Sequence, residues 1–491
     1  MISCDYNRLG YTCPEIPVEK SNKCMFHDEM YIHNSKNRKI VQNRFYRKFN
    51  NMIDSKKNPL ECVGYILQDV KLVGNIPIDV NFIDITFKGE SDFKKSVFEG
   101  RVDFEECVFE EKMHFESHTF VGDVNFKKST FKGIAYFWNS TFGEEVNFEE
   151  CVFKKEAYFW NSTFGGLSYF KRCVFKGVNF SGSTFVKKGE FSQSVFEEEV
   201  NFSQIIFEKE VNFERSKFKG DTDFKGTDFQ RIVSFHRVTF DEEREILFDG
   251  NLSKISFLNT TIPNKVKFGP NTKWNDDYKI FDEWVIDSTE EEYYDYKNKL
   301  FLGDILLEYN NLRENYEYHF KYQEAGKFFI RSSEMLRQYE ERGKVKLETS
   351  KFRITLKKFL SKIKRRNEKN LDNDGETILK KKWRKRNLNF SRIYKLIGDY
   401  GESYLKPLGI VGGVFVVGWA YFTIICDWNL IICSDDPISY GVKRALAATT
   451  PYLSFDGTIE PLDYIIKATT LPFVGISFIA LKRRFERKYR H

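Results

Sequence analysis

Four residues near the start of the chain have the types and spacing of a metal site: Cys4, Cys13, Cys24 and His27, arranged Cys-x8-Cys-x10-Cys-x2-His. Three thiolates and one imidazole suit a tetrahedral zinc ion. Four protein ligands leave no position open to substrate, so the expected site is structural. Gly10 and Pro14 supply turns between the ligands. A segment this short has no apolar core of its own, so a metal would supply its folding energy. His33 is surplus to the set. The competing reading is a loose tail of free thiols. A finger of this kind could also touch nucleic acid or protein, and the sequence does not choose.

No other constellation in the chain points to chemistry. There is no phosphate-binding glycine loop, no nucleophile elbow and no HExxH. The seven histidines are scattered. No catalytic or cofactor-binding residue is therefore expected, and the chain is not read as an enzyme. The nine cysteines do not form a disulfide framework, and Met1–Cys13 contains no apolar signal segment. The bulk of the chain is expected in a reducing, cytosolic setting.

The element behind all this is a repeat. Phenylalanine falls alternately every five and six residues from Phe82 through Phe87, Phe93 and Phe98 to Phe240, thirty in register. A fixed short period means a repeat array. Eleven residues is also a coiled-coil period. On a helix, however, a five-residue step turns the side chain by about 140° and splits the rings into two stripes. The residues beside each Phe also argue against helix. Ser129-Thr130-Phe131, Cys151-Val152-Phe153 and Val146-Asn147-Phe148 are β-formers and turn residues. A flat sheet has period two and would expose every other ring. A solenoid that turns a corner after each short step keeps every Phe on the axis. Two positions before Phe stands Ser96, Cys107, His118, Ser129, Ser140, Cys151, Ser162 or Cys173 in one series. In the other it is Val102, Met113, Val124, Ala135, Val146, Ala157 or Ser168. This reads as a second inward position of limited volume. Trp138 and Trp160 fall 22 residues apart in identical settings, so they are expected one above the other on an outer face.

On this Phe-x-x-Ser/Cys-x-Phe register, residues 64–275 resemble the pentapeptide-repeat proteins. The resemblance implies a mainly β fold, a right-handed quadrilateral β-helix with one repeat per side. A sixth residue in alternate steps departs from that unit, and three five-residue steps run together between Phe170 and Phe185. Four sides per coil turn thirty phenylalanines into about 7.5 coils, a rod of about 36 Å at the strand spacing.

A leader (1–35) and a basic helical linker (36–63) precede the solenoid, and a helical hairpin (276–345) is expected after it. Ser288 and Glu291 suggest a capping box at the start of that hairpin. Glu334 and Arg337, one turn apart, would pair on its surface. Residues 342–395 hold twenty Lys and Arg. Residues 407–426 are uncharged and long enough to span a bilayer, and Tyr464–Leu481 is a second span with Lys467 near its outer end. The basic segment 346–400 would then meet anionic head groups, at about 1 kcal/mol per residue. Basic flanks on one side place both termini in the cytoplasm, as a two-pass protein of the cytoplasmic membrane. Cys426 and Cys433 fall at the outer boundary and could pair there. Asp399–Glu402 and Ala480–Phe485 resemble a two-helix, ion-channel-like module that prokaryotic pentapeptide-repeat proteins carry. The stretch 445–457 lacks the closely spaced glycines of a selectivity filter.

Three functions follow. The first is a membrane-anchored scaffold presenting the β-helix to an unknown protein partner. The second is a channel or transport protein with a cytosolic β-helix sensor. The third is a topoisomerase-binding DNA mimic, ranked last because the rod is mixed in charge. Nucleic acid is not the expected partner. Two spans alone make a small membrane domain, which favours homo-oligomers.

Overall fold

The computed structural model describes residues 4–341 apart from 9–10, 20, 56–57, 291–293 and 299, and beyond them 409–417, 419–420 and 445. The chain divides into two compact units, residues 1–311 and 312–491.

Most of the first unit is a β-solenoid. One turn carries four two-residue strands, as at Val102–Asp103, Val108–Phe109, Met113–His114 and Thr119–Phe120. Each pairs in parallel with its counterpart one turn on: Val102 with Val124, Phe109 with Phe131, Met113 with Ala135, Phe120 with Phe142. The four ladders are the four sides. One of them has ten strands, giving about ten turns. The phenylalanine count falls short of this because the outer turns use other apolar residues. Leu60, Tyr65, Leu67 and Ile76 are buried at the start, and Ile246, Ile255 and Val266 at the end.

The rings build four internal columns. Phe126 stacks on Phe104 and on Phe148, each at 4.8 Å and within 4° of parallel, and meets Phe115 edge-on at 5.8 Å and 84°. Offset stacking along a column and edge-to-face contact between columns are the favoured arrangements of aromatic quadrupoles. The run of five-residue steps is absorbed without breaking the columns. Phe153 pairs with Phe175, but Ala157 pairs with Val178, a register shift within one long strand.

A tight turn follows alternate phenylalanines, with Cys107 N–H on the Phe104 carbonyl at 3.3 Å. Its second residue is left-handed even where it is not glycine, as at Glu106, Lys128 and Glu150 with φ of 61°, 58° and 63°. The tight turn therefore lies in the five-residue steps, as from Phe104 to Phe109, while the six-residue step from Phe109 to Phe115 passes a bend at Glu111.

The small inward position has a chemical requirement beyond size. Ser129 Oγ donates to the Phe104 carbonyl at 2.6 Å and accepts from Cys107 N–H at 2.9 Å. Ser162 donates to Phe137 at 2.7 Å, and Cys151 and Cys173 donate to Phe126 and Phe148 at 2.8 and 2.9 Å. Each hydroxyl or thiol bridges to the coil below inside a dry core. Burial holds the Cys107 and Cys151 thiols protonated, as donors. Replacing Ser129 by Ala is expected to cost about 1–3 kcal/mol, because it removes two buried hydrogen bonds and leaves the Phe104 carbonyl only the longer bond from Cys107 N–H. Chemical denaturation of the two proteins measures it.

His118 fills the same position. Its Nδ1–H donates to the Phe93 carbonyl at 3.0 Å, and Nε2 is buried without a partner. Burial depresses its pKa to about 3. The folded chain therefore holds fewer protons than the unfolded chain between about pH 3 and 6.5, and stability falls as pH drops through that window. His118→Ser removes this penalty. Its stability relative to the native chain should improve by about 2 kcal/mol between pH 7.5 and pH 5, from about 1.4 kcal/mol per unit. Denaturation at the two pH values tests this, and an unchanged difference would refute it.

Helices flank the solenoid: α1 (Glu29–His33) and α2 (Ser35–Ser55) before it, then α3 (Phe281–Asp287), α4 (Tyr294–Lys297), α5 (Leu302–Tyr318) and α6 (Tyr322–Glu341) after it. Ser288 closes α3 at its C-terminus, its N–H on the Trp284 and Val285 carbonyls; Glu291, the other half of the expected capping box, lies outside the described residues. In the second unit Tyr316 packs on Phe328 at 5.3 Å. Glu334 and Arg337 do pair, with Nε on Oε2 at 3.0 Å. The pair is largely buried rather than on the surface, with side-chain exposures of 6% and 14%.

The expected span 464–481, the basic segment 346–400, Cys426, Cys433 and all of 445–457 but Ala445 lie outside the described residues. Of the expected span 407–426, residues 409–417 and 419–420 are helical. Among the described residues no helix is long and apolar enough to cross a membrane.

Candidate metal centre

Among its described residues, the segment before α1 has one short antiparallel pair, Asn7–Arg8 with Tyr11–Thr12, and an isolated bridge from Pro17 to Cys24. The Cys-x2-His turn is closed by His27 N–H and Asp28 N–H on the Cys24 carbonyl at 3.0 and 3.1 Å. Asp28 then caps α1, accepting from Tyr31 N–H at 2.9 Å. These local bonds fix the chain direction between the third ligand and the fourth.

All four predicted ligands come together. Their ligand atoms lie within 4.8 Å of one another, and all four residues are buried. Cys13 Sγ lies 3.8 Å from Cys24 Sγ, while His27 Nδ1 lies 3.4 Å from Cys4 Sγ and 3.2 Å from Cys24 Sγ. In a zinc tetrahedron, bonds of about 2.3 Å to sulfur and 2.0–2.1 Å to nitrogen put sulfurs about 3.8 Å apart and sulfur about 3.5 Å from nitrogen. The donors thus fit one tetrahedral ion and can hold a metal. His33 is not among them.

The sequence did not reveal the surrounding support. His27 Nε2–H donates to the Val63 carbonyl at 2.9 Å. That bond fixes the tautomer and leaves the Nδ1 lone pair facing the sulfurs, the usual outer-shell device of metal histidines. Tyr6 stacks on the imidazole at 3.9 Å and 2°, and its hydroxyl donates to Asp84 at 2.7 Å. The Tyr6 ring occupies the space a Cβ at Gly64 would need, 2.0 Å from it, and Gly64 is left-handed with φ of +70°. Only glycine meets both demands. Burial pushes the Cys13 and Cys24 thiols up and the His27 imidazole down. A cation among the four reverses the cost for the thiolates.

The module is built onto the solenoid as its first layer. Phe26, between two ligands, accepts from Ile66 N–H at 2.8 Å, the bond a preceding strand would make. Its ring stacks on Tyr65 at 4.1 Å and 3°. Arg8 reaches Asp84 at 2.5 Å and Glu106 at 2.7 Å. From α2, Lys48 donates to the Tyr65 hydroxyl at 2.6 Å, and Val41, Phe45 and Phe49 are buried. The end of the rod, otherwise an open set of strand edges, is covered.

Elsewhere, Trp138 and Trp160 stack at 4.9 Å and 2°, as expected. His114, Tyr136 and Tyr158 form a second half-buried stack beside them, at 4.9 and 5.6 Å. A depression of about 410 Å³ lies between Tyr169, Lys188, Glu190, Asn212 and Arg215. Two of its charges already pair, Lys188 with Glu190 at 2.7 Å.

Comparison with known families agrees with this fold. Six overlapping windows between residues 104 and 243 match the family model described as pentapeptide repeats (9 copies). No curated protein and no solved structure matches the chain significantly.

Proposed function

We propose that this chain, a β-solenoid matching pentapeptide repeats over residues 104–243, is a non-catalytic scaffold, anchored in a membrane and presenting the solenoid to a protein partner. The carrying observation is where the reactive groups lie. The cysteines of the repeat are buried in hydrogen bonds to the coil below. The thirty rings face inward, and what remains outside is mostly polar side chains of both signs, interrupted by the Trp138–Trp160 and His114–Tyr136–Tyr158 stacks. Regular faces of this kind are what repeat solenoids offer to partners. Cys4, Cys13, Cys24 and His27 hold a structural zinc that seals the first turn. The anchor is the pair of apolar segments 407–426 and 464–481, with 346–400 on anionic head groups and both termini cytoplasmic. The anchor also favours self-association.

Alkaline carbonate washing of membranes, followed by cross-linking and mass spectrometry of what co-purifies, tests both parts. Retention in the pellet together with a recurrent protein bound through the solenoid supports the proposal. Release of the whole chain into the wash removes the anchor. Reproducible conductance in planar bilayers would turn the reading toward a channel.

A further inference from the structure

Where the helices after the solenoid meet its last turns, two acids are buried in contact. Asp282 on α3 is 0% exposed and Glu308 on α5 is 1% exposed. Their carboxyl groups lie within hydrogen-bonding reach of each other. One oxygen of each already has a donor. Tyr296 O–H donates to Asp282 Oδ1 at 2.6 Å, and Phe257 N–H donates to Glu308 Oε1 at 3.0 Å. The other two oxygens, Asp282 Oδ2 and Glu308 Oε2, have no partner.

The hydrogen-bond count has one solution. With no proton on the pair, two carboxylates touch in a dry site, which is strongly repulsive. With two protons, one O–H is left without an acceptor. With one proton, Oε2 and Oδ2 share it and every oxygen is satisfied. We infer that Asp282 and Glu308 hold a single shared proton and form a pH-sensitive latch between α3, the start of α5 and the last turns of the solenoid.

The neighbours fit this assignment. His236, from the solenoid, lies with Nε2 2.9 Å from both the Tyr296 hydroxyl and Ser256 Oγ. Since the Tyr296 proton goes to Asp282, its oxygen accepts from His236. Glu214 and Arg237 of the solenoid and Asp304 of α5 also act on His236. On α3, Glu283 is 2% exposed and accepts from the Tyr309 hydroxyl of α5, which in turn accepts Ile280 N–H at 3.1 Å. The latch region is thus satisfied around the pair. Phe281 and Val285 add its apolar part, with Ile232, Trp284, Tyr296 and Leu300 packed against them. Burial and the Asp282 charge raise the Glu308 pKa well above the carboxylate range.

A raised acid pKa means that the closed state keeps a proton the open state releases. Closure therefore weakens as pH rises from about 4.5 to the pKa of the pair, by up to about tenfold per unit. Hydrogen exchange of the full chain, corrected for the intrinsic rate, reads this on residues 281–287 and 302–311. The native chain should open more at higher pH. Glu308→Gln keeps the acceptor for Phe257 N–H and offers Asp282 an N–H, so its opening should be flat with pH. Asp282→Asn, the same change from the other side, should also be flat and serves if the first variant misfolds. An infrared band of a protonated carboxyl at neutral pH should be present in the native chain and absent from either variant. Flat exchange in the native chain, or an unchanged pH dependence in a correctly folded variant, overturns the latch.

Discussion

Cys24→Ala should empty the metal site and strip the N-terminal layer from the solenoid. Structural zinc sites are worth about 10–16 kcal/mol at neutral pH in isolated fingers, more than the Tyr6, Arg8 and Phe26 contacts that also tie the segment to the solenoid. Cys24 is the hub of the cluster. Its Sγ lies 3.2 Å from His27 Nδ1, its N–H donates to Cys4 Sγ at 3.2 Å, and its carbonyl closes the turn to His27. Purified native protein should carry one zinc per chain by elemental analysis, and the variant none. Hydrogen exchange should rise across residues 4–28 and over the first turn, where Tyr65 loses Phe26. Cys62→Ala is the matched control. That thiol is buried nearby, with its pKa pushed up to about 12 by burial, but it is not one of the cluster. It should keep its zinc. Equal metal content in native protein and Cys24→Ala would dispose of the site.

The second large effect is expected in the middle of the rod. Phe126 is fully buried and touches Phe104 and Phe148 along its column and Phe115 and Phe137 across it. Phe126→Ala should cost about 3–5 kcal/mol for the transfer and cavity terms. It should sit at the top of that range, because stacked and edge-on pairs contribute about 0.5–1.5 kcal/mol beyond area. Phe268→Ala, at the last turn, should cost less. Phe268 is 4% exposed, lies in the last strand of the solenoid, and stacks on Phe248 with Trp274 edge-on at 5.6 Å. In a solenoid each turn is stabilised by its neighbours, so a central loss divides the rod while a terminal one frays it. Denaturant titrations of both variants provide the comparison, and equal losses would argue against nearest-neighbour stabilisation.

A period is a local property, so it can be read from the residues alone. Phe at steps of five and six determined a solenoid with its rings inside. Cys-x8-Cys-x10-Cys-x2-His determined four donors, which the fold brings within 4.8 Å of one another. Even the irregular stretch from Phe170 to Phe185 was legible, because a missing residue shifts every later ring. What lacks a period was hidden. The turns before Phe82 use Leu60, Tyr65 and Ile76, whose spacing carries no distinctive mark. The Ser/Cys/His series looked like a limit on volume. It is a hydrogen-bond requirement, and its partner carbonyl lies one coil away, 25 residues back from Ser129. Val63 orients His27 through a backbone oxygen, which no side chain announces. Asp282 and Glu308 face each other only because α3 and α5 fold back on the last turns. Isolated acids 26 residues apart have no pattern until tertiary packing removes the water between them.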